Sequence, residues 1–166
     1  MLAQWLRRNA NKLPVGLLKF VGNHWRPFRG AGIRIVKVAP DYRFMEVHMK
    51  LRWYNRNYVG THFGGSMYAM TDPFYMMMLI NILGSDYIVW DKGARIDFKK
   101  PGRGTVKVQF RFSEEEIRAI KQKVDEDGKY VFEKPANVCD EEGDVVAEVM
   151  KVLYIRVKKK KPAKNN

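Results

Sequence analysis

The sequence predicts an α+β domain in which one curved antiparallel sheet is wrapped around a long buried helix. The helix is predicted because residues 65–83 carry a single formal charge, Asp72, and are rich in Met, Leu and Tyr. The sheet is predicted because segments that alternate apolar and polar residues lie on both sides of that helix. A helix with almost no polar face needs such a layer around it, so the two observations support each other.

The chain of 166 residues has the length of one domain with a sizeable core. We expect a single domain at residues 1–157, in which residues 1–30 form an N-terminal helical extension, and a basic, disordered tail at residues 158–166. The single cysteine, Cys139, excludes an internal disulfide and is expected to be a passive, packed thiol. A reducing compartment fits this composition, and we expect a cytoplasmic protein.

The net charge of +13 is concentrated at the two ends of the chain. Residues 1–34 contain seven Lys or Arg and no acid, and residues 158–166 contain five Lys and no acid. The body between them is nearly neutral. A basic run without interleaved aromatic residues offers only a sequence-independent attraction, so we expect no nucleic-acid partner. A weak association with an anionic membrane surface is the alternative that these ends leave open.

The first 22 residues place apolar side chains at roughly helical spacing, with Pro14 interrupting the run. We interpret them as an amphipathic helix that packs on the sheet or on a partner subunit; a membrane-surface helix is the alternative. The polar residues 9–12 split the apolar ones, which argues against a signal peptide.

Two alternating segments, 33–38 and 42–53, then predict a hairpin with its turn at 39–41. Met45, Val47 and Met49 should face the helix. His48 should face outward without a second ligand at metal-binding spacing, so no metal site is expected.

The buried helix follows, and the pair Asp72-Pro73 near its middle argues against a transmembrane span. Residues 87–104 predict a long third strand with a bulge at Gly93, and residues 105–112 predict the next strand. An extra helix is expected after them, with Ser113 as N-cap, Glu116 completing a capping box and Gly128 after its end. Residues 129–140 and 144–158 predict the last two strands, which brings the sheet to about six.

Asp72 is the residue of the helix whose side chain is best suited to take part in a reaction. A buried carboxylate is costly unless it is paired, so it is neutralised, caps a local backbone group or is kept for chemistry. Pro73 removes a backbone donor and tends to kink the helix. The alternative is that Asp72-Pro73 only breaks the helix in two.

Six residues near the helix start fall in one register: Asn57, Gly60, Thr61, Gly64, Gly65 and Asp72. They resemble the N-x-x-G-T-x-x-G-G-x6-D signature of hotdog-fold acyl-CoA thioesterases of the phenylacetate-pathway type. The whole chain looks most similar to an uncharacterised branch of that superfamily. The resemblance implies a hotdog fold, and a homodimer or dimer of dimers with composite active sites.

The resemblance also implies roles for the residues of the motif. Asp72 would be the nucleophile or general base, Asn57 would position substrate or water, and the amides of Gly64 and Gly65 would polarise a thioester carbonyl. Free N–H groups at the positive end of a helix suit a developing oxyanion. The implied substrate is acyl-CoA or another acyl thioester, and no cofactor is implied.

The chain departs from the family pattern at two places. The family usually carries His directly before the two glycines, where this chain has Phe63, with His62 one residue early. The Ser or Thr that the family tends to place on the next strand has no counterpart in residues 89–92. These departures bear on catalysis more than on fold.

We assign Thr61, His62 and Phe63 to substrate contacts. Lys99 and Arg103 are candidates to meet the phosphates of a CoA-like carrier at the sheet rim, and solvated turn charges are the alternative. Hydrolysis of acyl thioesters is the leading function. The alternative is a non-catalytic binder of acyl-CoA or a fatty acyl group, in which the chemistry was lost along with the family His. A peripheral membrane protein is a third, weaker interpretation.

Overall fold

The computed structural model describes residues 14–158, and these form five helices and seven strands. The helices are α1 Val15–His24, α2 Arg26–Ala31, α3 Gly64–Ala69, α4 Phe74–Leu83 and α5 Glu114–Asp127. The strands are β1 Ile33–Val38, β2 Phe44–Lys50, β3 Tyr87–Phe98, β4 Thr105–Arg111, β5 Lys129–Pro135, β6 Val138–Cys139 and β7 Val145–Val157. Residues 1–13, which include most of the predicted N-terminal helix, and residues 159–166 of the predicted tail lie outside the described part.

All strand pairs are antiparallel, and the order across the sheet is β1-β2-β4-β6-β7-β3. β5 also pairs with β7. The sheet has seven strands because the segment predicted as one strand at 129–140 divides into β5 and β6. Both halves pair with β7, so the segment still occupies a single position in the sheet. The α+β architecture predicted from the sequence is confirmed.

The alternation of side chains follows the prediction closely. Met45, Val47 and Met49 are fully buried on β2, and they meet Met78 and Leu79 of α4 in one core. The long third strand shifts its register against β7 between Asp91 and Gly93, where a bulge was predicted. Helix α5 begins with the predicted capping box of Ser113 and Glu116 and ends at Gly128, which has a left-handed φ of 72°.

The central apolar segment forms two helices, α3 and α4, rather than one long helix, which is the break at Asp72-Pro73 that the sequence left open as an alternative. Pro73 has no N–H group to continue the helical ladder. The N–H groups of Thr71 and Asp72 bond to carbonyls only three residues back, at 3.0 and 3.2 Å, which closes the last turn of α3. The peptide bond between Asp72 and Pro73 is cis. Asp72 therefore lies in a short turn between two helices.

The two strands at the ends of the strand order, β1 and β3, differ in what lies beside their free edges. At the β1 edge, Asn23 of α1 bonds to both backbone groups of Ile35, at 2.7 and 3.1 Å, and Lys19 donates to the carbonyl of Val36 at 2.8 Å. These side chains of α1 take the place of a neighbouring strand. At the other edge, β3 has no strand beyond it among residues 14–158. In the same range, no helix is both long and apolar enough to cross a membrane.

Candidate active site

The loop before α3 is held by the side chain of Asn57. Its Oδ1 accepts from the N–H groups of Val59 and Thr61 at 3.1 and 3.0 Å. Its Nδ2 donates to Oγ1 of Thr61 at 3.0 Å and to the carbonyl of His62 at 3.2 Å. Gly60 completes the turn with a left-handed φ of 81°. The amide of Asn57 is thus fully engaged within its own loop, and Thr61 is buried as one of its partners.

His62 lies beneath the same loop and is almost closed to solvent. Its Nε2 donates to the carbonyl of Gly104 at 3.2 Å, because a carbonyl oxygen only accepts. Its Nδ1 is therefore an unprotonated acceptor, and it is buried without a hydrogen-bond partner among the described residues. Burial lowers the pKa of His62, so the ring is neutral at physiological pH. It ties the 102–104 loop to the start of α3.

The two glycines lie at the start of α3, beside two aromatic rings. A Cβ added at Gly64 would lie 2.8 Å from the ring of Phe98, and one added at Gly65 would lie 2.5 Å from the ring of Phe63. A side chain at either position would require the neighbouring ring, which is more than half exposed in both cases, to shift. Among the described residues, the N–H groups of Gly64 and Gly65 have no hydrogen-bond acceptor. Two free donors therefore stand beside apolar rings at the positive end of a helix.

An open groove of about 450 Å³ runs past this helix start and past Asn57, Thr61 and His62. Lys99 lines it, although its ammonium group also pairs with Glu148 at 2.9 Å. Lys100 lines it too and pairs with Asp140 and Asp144 at 2.6 and 2.8 Å. Arg103 is exposed and does not line the groove.

Asp72 opens onto a different cavity, of about 340 Å³, that lies between α3, α4 and β3. Its side chain is 47% exposed, and its Oδ1 accepts a 2.8 Å hydrogen bond from Nζ of Lys151. Its carboxyl group also interacts with that of Asp91. Asp72 does not cap α4, which has no side-chain cap. Of the three roles considered for this carboxylate, capping is therefore excluded.

Lys151 and Asp91 complete a cluster of three charged side chains around Asp72. Lys151 is 1% exposed, and its Nζ also lies 3.6 Å from Oδ2 of Asp91. Both carboxyl oxygens of Asp91 are buried and accept no hydrogen bond within the described chain. Burial and the neighbouring Asp72 raise the pKa of Asp91 to about 7, against the opposing pull of Lys151.

Sequence reasoning missed Lys151, although a signal for it exists. In β7 the residues Val149, Leu153 and Ile155 are buried in alternation, and Lys151 falls in the same row. A lysine in the apolar register of a strand is rare unless it is paired. Asp91 lies where the resemblance led us to look for a Ser or Thr, on the strand after the central helix.

The residues predicted for one site thus fall in two places within a single chain. Asn57, Thr61, His62 and Gly64 border the groove, while Asp72 lines the other cavity. Within residues 14–158, no three His, Cys, Asp or Glu side chains are grouped closely enough to hold a metal ion.

Comparison with known proteins identifies the family. The model of a domain of unknown function, DUF4442, matches residues 16–155. The chain belongs to the DUF4442 family. No curated protein matches it. The predicted similarity to an uncharacterised branch is therefore confirmed.

Solved structures that resemble this DUF4442 chain share its fold. The protein of unknown function PA5026 from Pseudomonas aeruginosa, described as a probable thioesterase, is 22% identical with a TM-score of 0.79, covering 88% of this chain and 97% of its own. Thioesterase HI1161 from Haemophilus influenzae is 13% identical with a TM-score of 0.63, covering 88% and 92%. The PaaI protein from the phenylacetic acid degradation operon of E. coli is 14% identical with a TM-score of 0.57, covering 84% and 89%. The hotdog fold predicted from the motif is confirmed.

Proposed function

We propose that this protein hydrolyses an acyl thioester such as acyl-CoA, with Asp72 as its general base or nucleophile. The observation that carries the proposal is the state of Asp72: Oδ1 is held by a buried lysine, and the half-exposed carboxylate lines a cavity. A carboxylate that served only to neutralise Lys151 would not need this exposure. The similarity to structures described as thioesterases supports the same chemistry.

As a general base, Asp72 takes a proton from water while the water oxygen attacks the thioester carbonyl carbon. The carbonyl oxygen becomes an oxyanion, for which the free amides of Gly64 and Gly65 are suitable donors. The carbon–sulfur bond then breaks, and the sulfur leaves as a thiol after it takes up a proton. Asn57 acts in this scheme by shaping the loop that presents the glycines. As a nucleophile, Asp72 would attack the carbonyl carbon itself, the carbon–sulfur bond would break to release the thiolate, and water would hydrolyse the resulting anhydride to the free acid and the Asp72 carboxylate.

We further propose that the working unit is a homodimer or dimer of dimers. In one chain the glycine amides and Asp72 line different cavities, so a second copy would bring the amides of one chain to the carboxylate of the other. The open edge of β3 would support such pairing, and the half-exposed ring of Phe98 beside Gly64 lies on the face of the sheet that meets the helices. Lys99 would remain a candidate for the phosphates of the carrier, and Arg103 would contribute only at the rim.

The test is thiol release from short, medium, long and aryl acyl-CoAs. We expect Asp72→Asn to lower the rate about 10²- to 10⁴-fold while substrate binding is retained. Asp127→Asn is a matched control, because that carboxylate is 48% exposed and also pairs with a lysine, at 2.9 Å. Equal activity in wild type and Asp72→Asn would exclude the proposed role of Asp72.

A non-catalytic acyl-CoA binder is the second candidate. It is favoured by the amide of Asn57 and the ring of His62, both of which are committed to the loop and not to a reactant. In that case wild type would bind acyl-CoA saturably and release no thiol from any member of the panel.

A further inference from the structure

The cluster around Asp72 contains more charge than is needed to neutralise one lysine. Lys151 carries one positive charge and faces two carboxyl groups, Asp72 at 2.8 Å and Asp91 at 3.6 Å. The two carboxyl groups differ in their access to water. Asp72 is half-exposed, whereas the oxygens of Asp91 are buried behind the lysine.

The lysine is fixed in this position by the fold. It lies on β7, directly between Ala94 of β3 and Lys134 of β5. Its ammonium group also lies 5.7 Å from the ring centre of Tyr68, on α3. Because the backbone of Lys151 is paired on both sides and its side chain is buried, the lysine can hold Oδ1 of Asp72 in one orientation at the wall of the cavity.

We propose that Lys151 is a positioning residue for Asp72, and that Asp91 controls how strongly Lys151 holds that carboxylate. This inference rests on the proposed function of Asp72. When Asp91 is neutral, the positive charge of Lys151 acts on Asp72 alone and opposes the approach of a proton to its carboxylate. When Asp91 is ionised, it shares the lysine and adds a second negative charge beside Asp72, which favours the transfer of a proton from water to Asp72.

The raised pKa of Asp91 places this change within the physiological range. The charged and titratable groups that face the cluster come from each element around it. They are Tyr68 of α3, Asp72 of the turn, Lys92 and Asp91 of β3, Lys151 of β7, and Lys134 of β5, whose ammonium is bound to Glu116 of α5. Of these, Asp72 and Lys151 have the largest electrostatic effect on Asp91.

The first test is the pH dependence of kcat for thiol release. We expect kcat of wild type to rise about tenfold from pH 6 to pH 8, as Asp91 ionises. In Asp91→Asn the side chain keeps its size and stays neutral, so kcat should be low and nearly constant across this range. A rise in Asp91→Asn equal to that of wild type would overturn the proposal.

Lys151→Met provides a second variant of similar length without the charge. We expect it to lower kcat about 100-fold, with a much smaller change in KM, because the carboxylate is no longer held in place. Lys151→Met with the kcat of wild type would overturn the positioning role. Asp72→Asn separates the catalytic role proposed for Asp72 from the proposed control of Asp72 by Lys151 and Asp91. If Asp72→Asn keeps wild-type turnover, the catalytic role of Asp72 is wrong, whatever the pH profiles show.

The third test needs no substrate. In a ¹³C NMR titration of the aspartate carboxyl groups, the signal of Asp72 should respond to the ionisation of Asp91 in wild type and lose that response in Asp91→Asn.

The free energy of unfolding should also fall as the pH rises from about 4 to about 7, because folded Asp91 holds its proton more tightly than the unfolded chain does. Asp91→Asn should lack this fall. Identical stability profiles in the two proteins would overturn the proposal even if no thioester is hydrolysed.

Discussion

The loop that begins the motif and the cluster that ends it use their polar groups in opposite ways. In the loop, the side chain of Asn57 makes four hydrogen bonds within its own six residues. In the cluster, the charged groups come from three segments far apart in sequence; Asp72 is half-exposed, and the buried oxygens of Asp91 accept no hydrogen bond from a nitrogen or hydroxyl donor in the described chain. The first arrangement fixes the shape of a loop, and the second leaves charged groups available to a reactant.

The difference shows how a sequence signature should be interpreted. Asn57, Gly60 and Thr61 are explained by the geometry of one turn, and Gly64 and Gly65 by the rings that lie against them. Only Asp72 is not required by local structure. A match to the motif therefore establishes the loop and the helix start more firmly than it establishes a reaction, and the experiments that decide function belong at Asp72.

The largest effect should come from removing both carboxylates of the cluster. Asp72→Asn combined with Asp91→Asn leaves Lys151 buried without a counter-charge, and we expect the free energy of unfolding to fall by about 3–5 kcal/mol. Each single variant should cost much less, because the lysine keeps one partner. Chemical denaturation of the four proteins measures this coupling.

Adding Lys151→Met to the double variant is the control, and it should restore most of the lost stability because the uncompensated charge is removed. If the two single effects simply add to the double effect, within about 0.5 kcal/mol, the three residues do not act as one cluster. The distinction between loop and cluster would then disappear.

A smaller effect is expected at the loop. Asn57→Ala removes four hydrogen bonds and should lower the free energy of unfolding by about 2–3 kcal/mol. Asn57→Asp keeps the oxygen that accepts from Val59 and Thr61, so its loss should be smaller. Urea denaturation measures both. The scaffold interpretation fails if Asn57→Ala retains full stability and yet loses turnover.

The smallest effect is expected at Gly60. Nothing lies within 4 Å of a Cβ added at Gly60 or at Gly93, but only Gly60 has a left-handed φ, of 81°. Gly60→Ala should therefore cost about 1 kcal/mol through backbone strain alone, whereas Gly93→Ala should be neutral or slightly stabilising. Equal melting temperatures for the two variants would show that the loop conformation is not strained by a side chain.

The sequence predicts the local features of this fold well and the cluster poorly. Alternation in β2, the capping box of α5 and the bulge at Gly93 depend on neighbouring residues, and each is found where it was expected. The meeting of Asp91 with Lys151 depends on the register of β3 against β7, which no local pattern determines. The break between α3 and α4 is marked by Pro73 and was the stated alternative, although the long apolar run favoured one helix.

The side chains that α1 lays along β1 have a consequence for assembly. With Asn23 already bonded to Ile35, a further strand has no free backbone groups to bind at that position. Strand addition is thus blocked beside Ile35 but not at β3, and two copies joined through β3 would use that edge in both. Growth by this route stops at a pair, so the same contact that would complete an oligomer also prevents an open-ended fibre.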